Sequence, residues 1–221
     1  MVAQSATIAH VAPFAVFVGI MSLEHTFSLS PEVWLPIRFC ATIFALLLFS
    51  RGYISFQPSV PSASIALGAA VFVIWVAPDI LFGYRHSWLF ENALTSRAVT
   101  TVSPAMQRND LFLVLRVATS TLLVPVIEEL FWRSWLMRYV MEADFLKIPL
   151  GTYARSAFWI TAVLFALEHG PYWEVGLAAG ILYNWWIIRT KNLADCILAH
   201  AVTNGILAVY VIAAGQWQYW L

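Results

Sequence analysis

Long apolar stretches recur along this chain at 6–23, 33–50, 62–82, 110–134 (extending toward 140), 154–169, 172–189 and 193–214. A helix that crosses a bilayer needs about 20 mostly apolar residues, and within lipid the backbone polar groups must be satisfied inside the segment, as they are in a helix. Only 11% of the residues are charged, against about 25% in ordinary soluble domains, so a soluble globule is not expected. The expected fold is therefore all-α: a polytopic integral membrane helical bundle of seven transmembrane helices. The count rises to eight if the polar stretch 83–109 hides a surface or re-entrant helix. No repeat, low-complexity tract or linker divides residues 1–221, which read as a single membrane-embedded domain.

Lysines plus arginines number 12 and so do the acidic residues. With no basic run among them, nothing points to nucleic acid. Cys40 and Cys196 lie in separate apolar stretches without metal or redox spacing and read as small buried hydrophobes. The N-terminus lacks the basic region and small-residue cleavage site of a secretory signal. Arg51, Arg138, Lys147, Arg155, Arg189 and Lys191 fall in alternate loops, which sets the N-terminus on the cytoplasmic side. Arg85, Arg97 and Arg108 in 83–109 run against that rule, but long loops weigh little in it. His10, His25 and His86 lie near segment ends or in loops. Trp34, Trp88, Trp185, Trp186, Trp217 and Trp220 cluster near span ends as an aromatic belt would. Arg116 either snorkels to the interface or pairs internally.

Against this apolar background the run Pro125-Val126-Ile127-Glu128-Glu129-Leu130-Phe131-Trp132-Arg133 stands out. A charge at the bilayer centre costs roughly 3 to 10 kcal/mol, so ionisable groups persist there when paired or functional. On a helix Glu129 and Arg133 are four apart with the acid N-terminal, the favourable order for an ion pair. Glu128 points about 100° away, is left without that partner, and is a plausible general base. Taken alone, the run is equally two acids at the cytoplasmic end of a helix followed by positive-inside arginines.

Two other apolar segments carry polar groups. Phe165 and His169 share a face at the end of the short fifth segment, and His200 and Asn204 share a face within the last. Carboxylate, imidazole and carboxamide from three helices fit the attack of water on an amide. Glu128 assisted by His169 could take a proton from water, while His200 and Asn204 could donate hydrogen bonds to the developing oxyanion. A zinc site built on the two histidines and a glutamate is the competing assembly; against it, no H-E-x-x-H occurs, Glu168-His169 being reversed, and no third ligand is evident.

The order E-E-x-x-x-R (Glu128 to Arg133), F-x-x-x-H (Phe165 to His169), H-x-x-x-N (His200 to Asn204) resembles the CPBP family, also called Abi. These are intramembrane glutamic endopeptidases that include the CAAX prenyl endopeptidase. The likeness covers roughly residues 110–210, within a motif-bearing core of about 110–214. The stretch from Gly176 and Gly180 to Leu193 is similar to the small-residue helix and turn before the last motif, and residues 1–109 carry no family motif. The resemblance implies a helical core with a conical cavity, Glu128 and His169 as water activators, and His200 and Asn204 as the oxyanion hole. Glu129, Arg133 and Phe165 would support them, with no cofactor and no bound metal. The compact layout is similar to CAAX-protease-related members linked to exosortase and sorting systems.

The function expected is an intramembrane endopeptidase acting on a membrane-held or C-terminally lipidated, CAAX-like peptide. Its partners would be that peptide or protein and the lipid bilayer, in a prokaryotic cell (inner) membrane with the N-terminus cytoplasmic. A non-catalytic binding or immunity protein on the same scaffold and a proton-coupled transporter are the rivals. One tension is geometric: counting at about 1.5 Å per residue sets Glu128 and His200 near the inner face and His169 deeper. A short, tilted or re-entrant fifth helix would bring them together.

Overall fold

The computed structural model describes residues 2–24, 26, 27, 29–84, 87–90, 92 and 99–220. Arg85, His86, Arg97 and His25 lie outside the described residues, so the sequence readings placed on them are left as expectations. The fold is an all-α helical membrane bundle with seven long helices among the described residues: α1 (Val2–Glu24), α2 (Pro31–Ser50), α3 (Pro61–Phe82), α4 (Asp110–Tyr139), α5 (Arg155–Glu168), α6 (Trp173–Thr190) and α7 (Leu193–Ala214). Within 83–109, the described parts hold turns and a 3-10 helix at Met106–Arg108.

Five of the seven, α1 to α4 and α7, are long and apolar enough to cross a membrane. The other two form a hairpin. Fourteen residues make α5 about 21 Å long, against about 30 Å of hydrocarbon. The stop is written in the sequence: His169 ends the helix, Gly170 takes a left-handed φ of 54°, and Pro171 cannot continue it. The short helix dissolves the depth conflict, because His169 halts part-way across the bundle.

The surface is apolar and the polar groups are inside. Leu81, Phe82 and Leu111 are each more than 70% exposed, while Glu129, Arg133, Asn184 and Asp195 are almost wholly buried. That inversion suits lipid as solvent. Some residues depart from the sequence expectation. Trp34, Trp186 and Trp220 are buried rather than belted at an interface; Trp186 donates its Nε1–H to Ser64 Oγ at 3.2 Å, a partner a buried indole needs. Cys196 is buried but Cys40 faces outward, since α2 turns that side away from its neighbours. His10 lies between the rings of Tyr53 and Phe145 at 4.9 and 5.0 Å.

Close contacts fix the helices around the motifs. At Gly68 of α3 a β-carbon would stand only 2.3 Å from the carbonyl oxygen of Ala199 on α7, so glycine alone allows that approach. Thr203 Oγ1 on α7 donates to Gly68 O across the seam at 2.9 Å. On α6, Gly176 lies against His169, just past the end of α5, and Gly180 against Phe165 of α5; a β-carbon at either glycine would stand only about 3.2 Å from those side chains, closer than ordinary contact. The small-residue face noted in the sequence is thus what seats the F-x-x-x-H motif. Asp195, in the first turn of α7, accepts from the backbone N–H groups of Ser59 and Val60 at 3.0 Å each and from Ser64 Oγ at 2.9 Å. It caps the start of α3 from a neighbouring helix.

Candidate active site

The acidic pair lies on the one part of α4 where the helix is wound differently on either side. Val124–Glu129 is regular α-helix between two wider, i→i+5 turns, Thr119–Leu123 and Leu130–Leu136. Pro125 accounts for the first. It has no N–H to donate and its ring crowds the preceding turn, so the Val124 N–H reaches back five residues to Thr119 O. In that pattern the donor due to Ser120 O is Pro125, which has none. The carbonyl is taken instead by Asn204, whose Nδ2–H donates to Ser120 O at 2.8 Å. A proline in one motif therefore orients the asparagine of another.

Glu129 and Arg133 form the ion pair the spacing anticipated, Nη1 to Oε1 at 3.1 Å, with both side chains fully buried. The guanidinium stacks over the rings of Phe165 (4.3 Å) and Tyr183 (5.3 Å), and its Nε–H donates to Asn184 Oδ1 at 3.1 Å. A charge so enclosed needs every such contact. Glu129 Oε1 also meets Nδ1 of His200 at 2.8 Å. Because a carboxylate only accepts, the proton of that bond sits on Nδ1. The other face of His200 stacks on Tyr183, centroids 5.1 Å apart and planes 22° apart, and the Tyr183 hydroxyl shares a 2.7 Å bond with Thr203. The ring cannot swing.

Nε2 of His200 is thereby turned toward Glu128, 4.0 Å from its Oε2, too long for a direct hydrogen bond. That Oε2 is buried and has no hydrogen-bond partner among the described residues. His169 Nδ1 lies 2.7 Å from Phe165 O; a carbonyl only accepts, so Nδ1 carries the proton and Nε2 keeps its lone pair. Trp75 meets the His169 ring edge-on at 5.2 Å. Beside it, Trp132 Nε1–H donates to Glu168 Oε2 at 3.2 Å, tying the end of α5 to α4.

Glu128, His169, His200, Asn204 and Phe165 line one cavity of about 180 Å³. At about 30 Å³ per water molecule this is room for several. Glu129 and Arg133 stand behind its wall. The set of residues read from the sequence is thus brought together, three helices contributing to one chamber. Among the described residues no group of three or more His, Cys, Asp or Glu side chains is arranged to hold a metal ion. Sequence reading missed Trp75, Tyr183, Asn184 and Ser120. Tyr183 and Asn184 were findable by the same rule as the motifs, being polar groups inside an apolar helix; Trp75 and the carbonyl of Ser120 carry no such signal.

Comparison with known proteins agrees with the motif-bearing half. Residues 110–206 match the family described as Type II CAAX prenyl endopeptidase Rce1-like. No curated protein and no solved structure matches the chain.

Proposed function

We propose, for a chain that belongs through residues 110–206 to the Rce1-like family of type II CAAX prenyl endopeptidases, that its reaction is hydrolysis of a peptide bond by a water molecule held between Glu128 and His169. The observation that carries this reading is the convergence of Glu128, His169, His200 and Asn204 on a single chamber large enough for water. Glu128 takes a proton as the water oxygen attacks the carbonyl carbon, and the Nε2 lone pair of His169 steers the other hydrogen. The carbonyl oxygen becomes an anion facing the second N–H of Asn204 and Nε2 of His200. That donor role requires protons on both nitrogens of His200, a charge that Glu129 at 2.8 Å and Glu128 at 4.0 Å both face. Collapse of the tetrahedral species breaks the C–N bond. The proton on Glu128 passes to the leaving nitrogen, giving a carboxylic acid and an amine.

Glu129, Arg133 and Phe165 act as positioning residues: Arg133 holds Glu129, Glu129 holds His200, and Phe165 supports the guanidinium and carries the carbonyl that orients His169. The substrate is a membrane-held peptide, C-terminally lipidated or CAAX-like. The setting is a prokaryotic inner membrane with the N-terminus and the basic loops cytoplasmic. The test is incubation of liposome-reconstituted protein with a panel of membrane-anchored peptides, with the products read by mass spectrometry. A discrete pair of fragments that persists in EDTA supports the proposal. Intact peptides throughout favour the non-catalytic reading, and fragments lost with EDTA and restored by zinc favour the metal one.

A further inference from the structure

Part of the arginine behind the chamber is engaged by a residue that the reaction described above does not use. Asn184 of α6 is fully buried, and both ends of its carboxamide are taken. Its Nδ2–H donates to the carbonyl oxygen of Phe158, in the first turn of α5, at 2.8 Å. Its Oδ1 accepts from Arg133 Nε at 3.1 Å. A carbonyl admits only a donor and a guanidinium only an acceptor, so the amide has one orientation.

The consequence shows in the ion pair. Arginine and carboxylate favour a fork, with two N–H groups on the two oxygens. Here Arg133 reaches Glu129 through Nη1, while Arg133 Nη2 and Glu129 Oε2, both buried, have no hydrogen-bond partner among the described residues. Glu129 Oε1 instead serves both Arg133 Nη1 at 3.1 Å and His200 Nδ1 at 2.8 Å. A fork would need both terminal nitrogens turned onto Glu129, a rotation that takes Nε away from Asn184. Contacts with the rings of Phe165 and Tyr183 do not choose which nitrogen faces the carboxylate; the bond from Nε to Asn184 does.

Resting on the endopeptidase reading above, we infer that Asn184 is a positioning residue for hydrolysis: it restrains Arg133 to one arm on Glu129 and so keeps that carboxylate on His200. The restraint passes from Asn184 through Arg133 and Glu129 to His200, and ends at the Nε2 that faces Glu128. Without it the freed guanidinium closes a fork on Glu129, the carboxylate is drawn off His200, and the ring loses the bond that aims Nε2. The α5–α6 hairpin thereby anchors an oxyanion donor carried by α7.

The test follows the His200 Nδ1–H proton by NMR of the full-length protein in detergent micelles, identified by its loss in His200→Gln. A buried N–H bonded to a carboxylate resonates far downfield. Asn184→Leu is expected to move that resonance upfield, in the direction that Glu129→Gln moves it, while Gly19→Ala, at an open position, leaves it in place. An unmoved resonance in Asn184→Leu, or none in the wild type, overturns the inference. On a membrane-anchored peptide that the wild type cuts, Asn184→Leu should lower kcat about tenfold to a hundredfold with KM little changed. In a Glu129→Gln background it should cost no more than about twofold further, because the two residues act through one chain of contacts. A residue that merely supports the fold would cost the same in both backgrounds, so losses that multiply overturn the inference. Asn184→Ser, smaller than asparagine and too short to reach the guanidinium, carries the same expectations where leucine disrupts folding. A resonance that shifts as expected in a protein that cuts no peptide would sink the endopeptidase reading and leave the hold of Asn184 on His200 standing.

Discussion

Pro125 carries more of the site than its place in a hydrophobic run suggests. By withholding a hydrogen bond it frees the carbonyl that orients Asn204, and it does so one turn from the carboxylates. Pro125→Ala is expected to let α4 wind regularly, which keeps or raises thermal stability while cleavage falls by about tenfold or more through misplacement of Asn204. Activity assays beside a melting curve check it, and unchanged kcat would refute the link. Asn204→Ala removes the carboxamide itself. It should lower kcat about 10²- to 10³-fold, the usual loss for one oxyanion donor, with KM little changed.

Helices meet here through glycine where the motifs need support. Gly68→Val would drive a side chain into the α7 backbone and break the Thr203 bond; loss of several degrees in Tm is expected, since overpacking typically costs about 1–3 kcal/mol. Gly19 of α1, where a β-carbon would meet nothing within 4 Å, is the control: Gly19→Ala should leave Tm within about 2 °C. Equal effects at both positions would show that the α3–α7 seam is not the close contact described. The element scale is also where sequence and structure part. All seven helices were legible because each is an apolar run bounded by polar or turn-forming residues, and the paired Glu129 and Arg133 because four residues on a helix bring them together. Of the wide turns around Val124–Glu129, only the first has a local mark, Pro125; that the freed Ser120 carbonyl is satisfied by Asn204 of another helix has none. The capping of α3 by Asp195 is likewise a contact between residues 135 apart that no local pattern encodes. The short α5 was visible, and its Gly170-Pro171 stop explains why a helix too short to span is the right length for the site.

Taken as one body, the molecule is a lipid-facing shell around a buried polar seam, with the first-half helices packed on the motif-bearing half. Phe14 of α1 stacks on Phe131 of α4 at 4.2 Å, and Trp75 of α3 touches His169, so residues without any family motif still shape the chamber. On the proposed orientation, with the basic loops cytoplasmic, a single cysteine introduced at the exposed Ser55 should be labelled by an impermeant maleimide only from the inside, in a background lacking Cys40 and Cys196; labelling from outside would invert the orientation. The account as a whole stands on Glu128 and His169 sharing one water. Single-turnover cleavage of one identified membrane peptide, compared across wild type, Glu128→Gln, His169→Ala and the double variant, reads this most directly. Each single variant should lose about 10²- to 10⁴-fold, and the double variant should lose scarcely more than either, as expected of residues acting as a unit. Losses that multiply, or a fully active single variant, would contradict it.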